Sequence, residues 1–161
     1  MIGSAMAGLR CLIDSMLFDA IAAEPELLAL VDRLTSAGWL ELLAAPVSVE
    51  QVAATPDPWH RRALRRVRVL VVPPAGEEDP AVAELLVALR RTAGLDDAVI
   101  AATAAAQSVP LVTEDRRLRE AAAIHLPDLV LWSWTADLRP KIVTLGVEHP
   151  PAPYVRRRVA R

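Results

Sequence analysis

Asp97-Ala-Val-Ile-Ala-Ala-Thr-Ala-Ala-Ala-Gln-Ser-Val-Pro-Leu-Val-Thr-Glu-Asp115 opens on a carboxylate, runs through an alanine-rich apolar segment and closes on a second carboxylate. The first part predicts a helix. Pro110 to Val112 predicts a short buried strand that delivers Thr113 and Asp115 at its end. A carboxylate at the C-terminal edge of a parallel strand lies where open α/β sheets bind ligands. Acids that converge there repel one another unless a cation joins them, so the stretch points to a metal site.

Outside this stretch, strands and helices alternate. Residues 9–13 (Leu-Arg-Cys-Leu-Ile) read as a buried strand ending at Asp14, and a helix follows Ser15 to about Ala23. Pro25 opens a second helix to about Ser36, because proline fits a first turn and Glu24 and Glu26 suit its positive end. Gly38 stops it. Leu40–Ala44 reads as a strand, and Pro46 with Ser48 introduces a short helix carrying Glu50. Beyond Pro56-Asp57-Pro58, residues 59–66 read as helix, Val67–Val72 as strand and Pro73 to Gly76 as a turn. Asp79-Pro80 starts a helix to about Arg91, which Gly94 closes off. Leu129–Trp132 is a further strand and residues 135–144 a last helix.

Alternation of this kind implies an α/β fold, a central parallel sheet flanked by helices on both faces. The strand at 109–113 is expected at its centre. One domain over residues 9–145 and a Pro-rich, basic tail over 146–161, extended from His149 onward, complete the organisation.

Composition sets the limits. A chain of 161 residues, 53% hydrophobic and 24% charged, is a globular single domain and not a disordered one. Its net charge of −2 excludes binding a polyanion by bulk charge. Lys141 is the only lysine, and the arginines cluster at 61–68, 116–119 and 156–161. Cys11 is the sole cysteine, which excludes an internal disulfide and a cysteine metal site. Arg10 interrupts the N-terminal apolar run and no uncharged stretch reaches a membrane span, so a cytoplasmic protein without membrane contact is expected.

Four acids fall at element junctions: Asp14, Glu50, Asp97 and Asp115. In a parallel sheet these junctions share one edge, and such hard oxygen ligands suit Mg²⁺ or Mn²⁺. An ion held there activates water for attack on a phosphodiester. Each acid also has a structural reading, because Asp, Ser and Thr are favoured helix N-caps. Asp14 can cap the first helix, Asp96 or Asp97 the alanine-rich helix, and Thr113 or Asp115 residues 116–123. Four acids in this order at one edge make capping alone a poor explanation.

With Leu12-Ile13-Asp14-Ser15, Ser48-Val49-Glu50, Asp97-Ala-Val-Ile-Ala-Ala-Thr-Ala104 and Leu111-Val-Thr-Glu-Asp-Arg116, the chain resembles the PIN-domain nucleases. Among them it is most similar to the small toxins of VapBC-type toxin–antitoxin modules, over roughly residues 9–135. The resemblance implies a metal-dependent endoribonuclease, a hydrolase using Mg²⁺ or Mn²⁺. It makes Asp14, Asp97 and Asp115 the metal ligands. Glu50 orients a water or holds a second ion, and Ser15 and Thr113 bond to the carboxylates or the scissile phosphate. It further implies a homodimer and a small antitoxin whose basic side chain reaches the metal position. Glu114 departs from the pattern, where members often carry Asn, and so does Arg117, where they often carry an acid.

Arg61, Arg62, Arg65 and Arg66 stand at i, i+4 spacing and form one basic helical face. It is either a solvated surface or a track for RNA phosphates. Trp59 beside it is a candidate for base stacking; Trp39, Trp132 and Trp134 read as core or interface anchors. His60, His125 and His149 have no ligand spacing. Asp19 and Glu24 read as surface charges, although Asp19 is within a turn of Ser15.

Two rival functions compete with the toxin nuclease. One is a non-catalytic binding or scaffold protein, which Arg117 favours; a housekeeping PIN nuclease is a variant of the leading reading. The other is a phosphoacceptor domain, which needs a lysine near its aspartate and here has only Lys141.

Overall fold

The computed structural model describes residues 8–75, 78 and 80–153. Strand β1 (Leu9–Ile13) is followed by helices α1 (Met16–Ala22) and α2 (Pro25–Ser36). Then come β2 (Leu40–Ala44), α3 (Pro46–Ala53), α4 (Pro58–Leu64) and β3 (Leu70–Val71). Helices α5 (Pro80–Ala93) and α6 (Leu95–Ala106) lead to β4 (Leu111–Val112) and α7 (Arg116–His125). The chain finishes with β5 (Leu131–Trp132), a π-helical turn (Trp134–Leu138) and α8 (Arg139–Glu148).

The strands form one sheet in the order β3-β2-β1-β4-β5, every pair parallel. This corrects the expectation that the strand at 109–113 is central. β1 occupies the middle, with Leu9–Leu12 beside Leu40–Leu43 on one side and Leu12–Ile13 beside Leu111–Val112 on the other. The chain winds outward through β2 and β3, then crosses back to lay β4 and β5 on the opposite flank. The direction of winding therefore reverses between β1 and β4.

Side chains alternate across β1 into two cores. Cys11 and Ile13 join Leu17, Ile21, Leu34 and Ile142 on one face, while Leu12 joins Leu89, Ile100, Ala101 and Leu118 on the other. A strand buried on both faces has no polar side to show. The alanines of α6 (Ala98, Ala101, Ala104) are fully buried, so the helix lies close against the sheet. Burial pushes the Cys11 thiol up to about 12, which leaves it an inert core residue.

Several boundaries move for local reasons. The strand expected at Val67–Val72 pairs only at Leu70–Val71, because Val67 N–H closes the end of α4 on Leu64 O at 3.1 Å. β5 is likewise confined to Leu131–Trp132. Helix α6 starts at Leu95 on Gly94, whose φ of +86° suits glycine, so neither Asp96 nor Asp97 is the N-cap. The last helix is preceded by the π-helical turn and continues to Glu148, so residues 146–148, assigned to the tail on the sequence, are helical. His149 stacks on Trp39 with ring centroids 3.6 Å apart, and its carbonyl accepts from Arg33. The turn residue Gly76, the helix-start residue Asp79 and tail arginines 156–158 lie outside the described residues. No described helix is long and apolar enough to cross a membrane.

Candidate metal centre

The crevice beyond the carboxyl ends of β1 and β4, where the winding reverses, is the place at which open α/β sheets bind ligands. Asp14 leaves the end of β1 there and is 3% exposed. Its carboxylate is held by three donors: Ser15 N–H to Oδ1 at 2.7 Å, Ser15 Oγ to Oδ1 at 3.4 Å, and Thr113 Oγ1 to Oδ2 at 2.9 Å. The expected capping of α1 by the Asp14 side chain does not occur. Ser15 takes the N-cap position without a side-chain capping bond.

Asp115 performs both tasks weighed for it. Its Oδ1 accepts from Leu118 N–H at 3.0 Å and so caps α7, while its own N–H donates to Thr113 Oγ1 at 3.1 Å. Thr113 thus links the ends of β1 and α7 through one hydroxyl. Asp97 stands half-buried in the first turn of α6, where the positive end of the helix favours negative charge.

Charge within this group raises two of its carboxyls, those of Asp97 and Asp14. Burial pushes the Asp97 carboxyl up to about 6, with the charges of Asp14, Asp115 and Asp96 adding to the shift. Burial also raises Asp14 above the ordinary carboxylate range; its three donors pull it back and the Asp115 charge pushes it up again. None of the three forms an ion pair with a basic side chain among the described residues. Glu50 is exposed on α3 and takes no part in this electrostatic group. Its neighbour Gln51 joins α3 to the start of α6 through Asp96, at 3.1 Å.

The donor set fits a hard divalent cation in its chemistry: carboxylates from separate elements whose charges raise Asp14 and Asp97, with no ion pair to a basic side chain among the described residues. Asp14 accepts three hydrogen bonds of the roughly four a carboxylate can take, which leaves one lone-pair position. The placement is open and not closed around a point. Among the described residues no three of His, Cys, Asp or Glu stand as a ready ligand group.

The two departures from the pattern have different outcomes. Glu114 is exposed and its carboxylate accepts from Trp134 N–H, so it caps the π-helical turn. Arg117 is exposed and forms no ion pair among the described residues. Sequence reasoning missed Arg119, whose Nη1 donates to both Thr113 O and Trp132 O at 3.0 Å. Ser48, read on the sequence as part of the second motif, lies inside α3 with its hydroxyl buried and without a partner.

The basic face is shorter than expected, since α4 ends at Leu64 and Arg65 is its C-cap. Arg61 is committed to Thr55 O at 2.8 Å; Arg62, Arg65 and Arg66 are exposed. Asp19 pairs with His60, and Glu24 takes Arg139 in two bonds of 3.0 and 2.7 Å. Lys141, on α8, has its ammonium 5.0 Å from the Trp132 ring centroid, so it does not serve Asp14 as a phosphoacceptor would require.

The class defined by this fold and site is a doubly wound α/β domain with acids gathered at its switch point. The model of the PIN domain family matches residues 15–124, and the chain belongs to that family. PIN domains are in general nucleases that use divalent metal ions. The fold is similar to VapBC2 from Rickettsia felis, solved bound to a DNA fragment from their promoter (14% identity, TM-score 0.55, 78% of this chain and 99% of that one). It is also similar to PAE2754 from Pyrobaculum aerophilum (19% identity, TM-score 0.50, 91% of this chain and 94% of that one). No curated protein matches the sequence at a significant level.

Proposed function

We propose that this chain is a metal-dependent endoribonuclease, acting as a homodimeric toxin that a cognate antitoxin restrains. One observation carries the reading: the charges of Asp14 and Asp115, from two other elements, add to the burial that raises the Asp97 carboxyl, and the Asp115 charge also raises Asp14, with no ion pair to a basic side chain among the described residues. Asp14, Asp97 and Asp115 hold Mg²⁺ or Mn²⁺. When bound, the ion supplies an acidified water and a positive charge against the developing charge on phosphate.

The chain's own residues do the rest. Ser15 and Thr113 keep the Asp14 carboxylate oriented. Glu50, exposed on α3, would orient a water or hold a second ion. Arg62, Arg65 and Arg66 contact RNA phosphates, and that binding weakens with salt. Arg61, spent on Thr55 O, steadies the helix that carries them.

The fold shared with VapBC2 supports the toxin reading and the existence of an antitoxin. A short reading frame for a DNA-binding antitoxin directly upstream would support it further; an isolated gene favours a housekeeping nuclease. The scaffold reading loses ground because Arg117 does not neutralise the acids. Purified protein incubated with structured RNA and Mn²⁺ is expected to cut it, whereas Asp14→Asn and Asp115→Asn are not. If wild type and both variants leave several RNAs equally intact across several metals, the nuclease reading fails.

A further inference from the structure

A groove of about 190 Å³ leaves the acidic edge at Ser15 and runs between α1, α3 and α4, past Met16, Asp19, Gln51 and Thr55 to Leu64. Helix α4 forms its far wall. Asp19 on the groove floor pairs with His60 of α4, and the residue next to His60 is Trp59. Trp59 is 76% exposed, an unusual place for the largest apolar side chain.

The backbone that carries the indole is tied down. Asp57 caps the helix by accepting Trp59 N–H at 2.9 Å, Pro58 fixes the first turn, and Arg61 is bound to Thr55 O at 2.8 Å. Arg62 places its guanidinium 5.4 Å from the ring centroid, which occupies one face of the indole. The exposure of the ring leaves the other face open to solvent. A flat aromatic side chain with two rotatable bonds on a fixed backbone loses little entropy on binding.

Beside the Asp57 carboxylate that caps the helix stand three arginines. Arg62, Arg65 and Arg66 are exposed and form no ion pair among the described residues, whereas Arg10, Arg68, Arg116 and Arg139 all pair with acids. An aromatic face set among unpaired arginines is complementary to a base with phosphates on either side of it. A protein partner would ask for continuous apolar surface, but Arg62 lies over the indole and the chain around it reads Asp57, His60 and Arg61.

We infer that Trp59 is a stacking platform for an unpaired nucleotide of a single-stranded polynucleotide, with Arg62, Arg65 and Arg66 tracking its phosphates and the groove leading the strand toward Asp14. In taking the scissile phosphate to lie at the acidic edge, we rest on the nuclease reading above. Stacking needs a free base face, so duplexes are excluded from the platform. The shared chemistry of base and phosphate admits RNA or DNA.

The test is fluorescence anisotropy of short labelled oligonucleotides with the full chain in EDTA, which stops cleavage and isolates binding. Trp59→Ala is expected to weaken single-strand binding by roughly 5- to 100-fold, the loss of one base–aromatic stack, while Trp59→Phe retains most of it. Duplex binding is expected to be weaker and insensitive to Trp59. Arg65→Ala with Arg66→Ala should weaken both kinds of strand and reduce the salt slope. Equal effects on single-stranded RNA and DNA support the base-and-phosphate chemistry, and an effect on RNA alone supports it with RNA as the ligand. Single-strand binding within about 2-fold of wild type for Trp59→Ala, with an unchanged circular dichroism spectrum, would falsify the platform. So would a surface that binds only a protein through Trp59. Cleavage with Mn²⁺ is scored separately: intact cleavage with unchanged Trp59→Ala binding sinks only this inference. Binding that depends on Trp59 without any cleavage sinks only the nuclease reading.

Discussion

Thr113 Oγ1 donates to Asp14 Oδ2 at 2.9 Å across 99 positions of sequence, and both residues are buried. The same hydroxyl accepts Asp115 N–H at 3.1 Å. Thr113→Val keeps the shape and removes both bonds. A hydrogen bond to a buried charged group contributes about 1.5–3 kcal/mol, so Thr113→Val should lose about that much stability in urea unfolding, and Thr113→Ser much less. Loss of this donor also pushes the Asp14 carboxyl further up. A Thr113→Val protein as stable as wild type would remove the bond from the account.

Asp97 gives the metal-free protein a pH dependence of definite sign. Its carboxyl is raised to about 6 in the fold from an ordinary 3.8. Between these values the folded chain holds a proton that the unfolded chain has released. Stability in EDTA should therefore be highest near the lower value, fall as pH rises through the window, and level off above the upper one. The Asp14 shift acts in the same direction. Thermal melts of wild type and Asp97→Asn check this: the variant should show a shallower fall and a higher melting temperature at neutral pH. Added Mn²⁺ should raise the melting temperature more at pH 7 than at pH 5, where protons compete with it.

Asp14 and Asp115 were legible because each sits just past the end of a strand, and junctions are what composition and turn residues mark best, whereas Glu50 lies inside α3 and Asp97 inside the first turn of α6. Asp14 follows an apolar run and Asp115 follows Leu-Val-Thr, so their shared edge could be read without coordinates. Strand order could not, since it depends on where the chain crosses back; nothing in Pro110–Val112 distinguishes a central strand from its neighbour. The start of α6 was read too late because the eye takes an aspartate for a cap, while Gly94 with its positive φ begins the helix. Glu114 looked like a flaw in a metal site. Its partner is Trp134 N–H, at a π-helical turn that leaves no periodic signature in sequence. Of the arginine run 116–119, only Arg119 reaches the strand ends, and a charge run carries no mark of which member does so.

Ser48 offers a contrasting case. Its hydroxyl is 0% exposed and unpartnered, although its backbone N–H is satisfied by Ala45 O at 3.0 Å. Burying a hydroxyl without a bond costs about 1–3 kcal/mol, and alanine is the better helix former. Ser48→Ala in the metal-free protein should be neutral or more stable by up to about 1 kcal/mol, measured by urea unfolding. A loss larger than that would mean the hydroxyl has a bonding partner in solution.

Arg119 tests whether the edge of the sheet is held from outside the acids. Its Nη1 bonds the carbonyls of Thr113 and Trp132, each at 3.0 Å, just where the ladder between β4 and β5 stops. One guanidinium therefore fixes the carbonyl of the residue whose hydroxyl fixes Asp14. Arg119→Ala should lower stability by about 1–3 kcal/mol, since two partly buried carbonyls lose a charged donor. Arg117→Ala, exposed and without an ion pair among the described residues, should stay within about 0.5 kcal/mol of wild type. Arg119→Lys should recover only part, because an ammonium lacks the planar fork. Hydrogen exchange at Thr113 N–H, which bonds Trp132 O at 3.1 Å, locates the damage: it should quicken in Arg119→Ala and not in Arg117→Ala. The stabilisation gained on adding Mn²⁺ should shrink in the same variant, because a loosened Thr113 no longer keeps the Asp14 carboxylate turned toward the other acids. Equal behaviour of the two arginine variants in both measurements would show that the sheet edge needs no such tie.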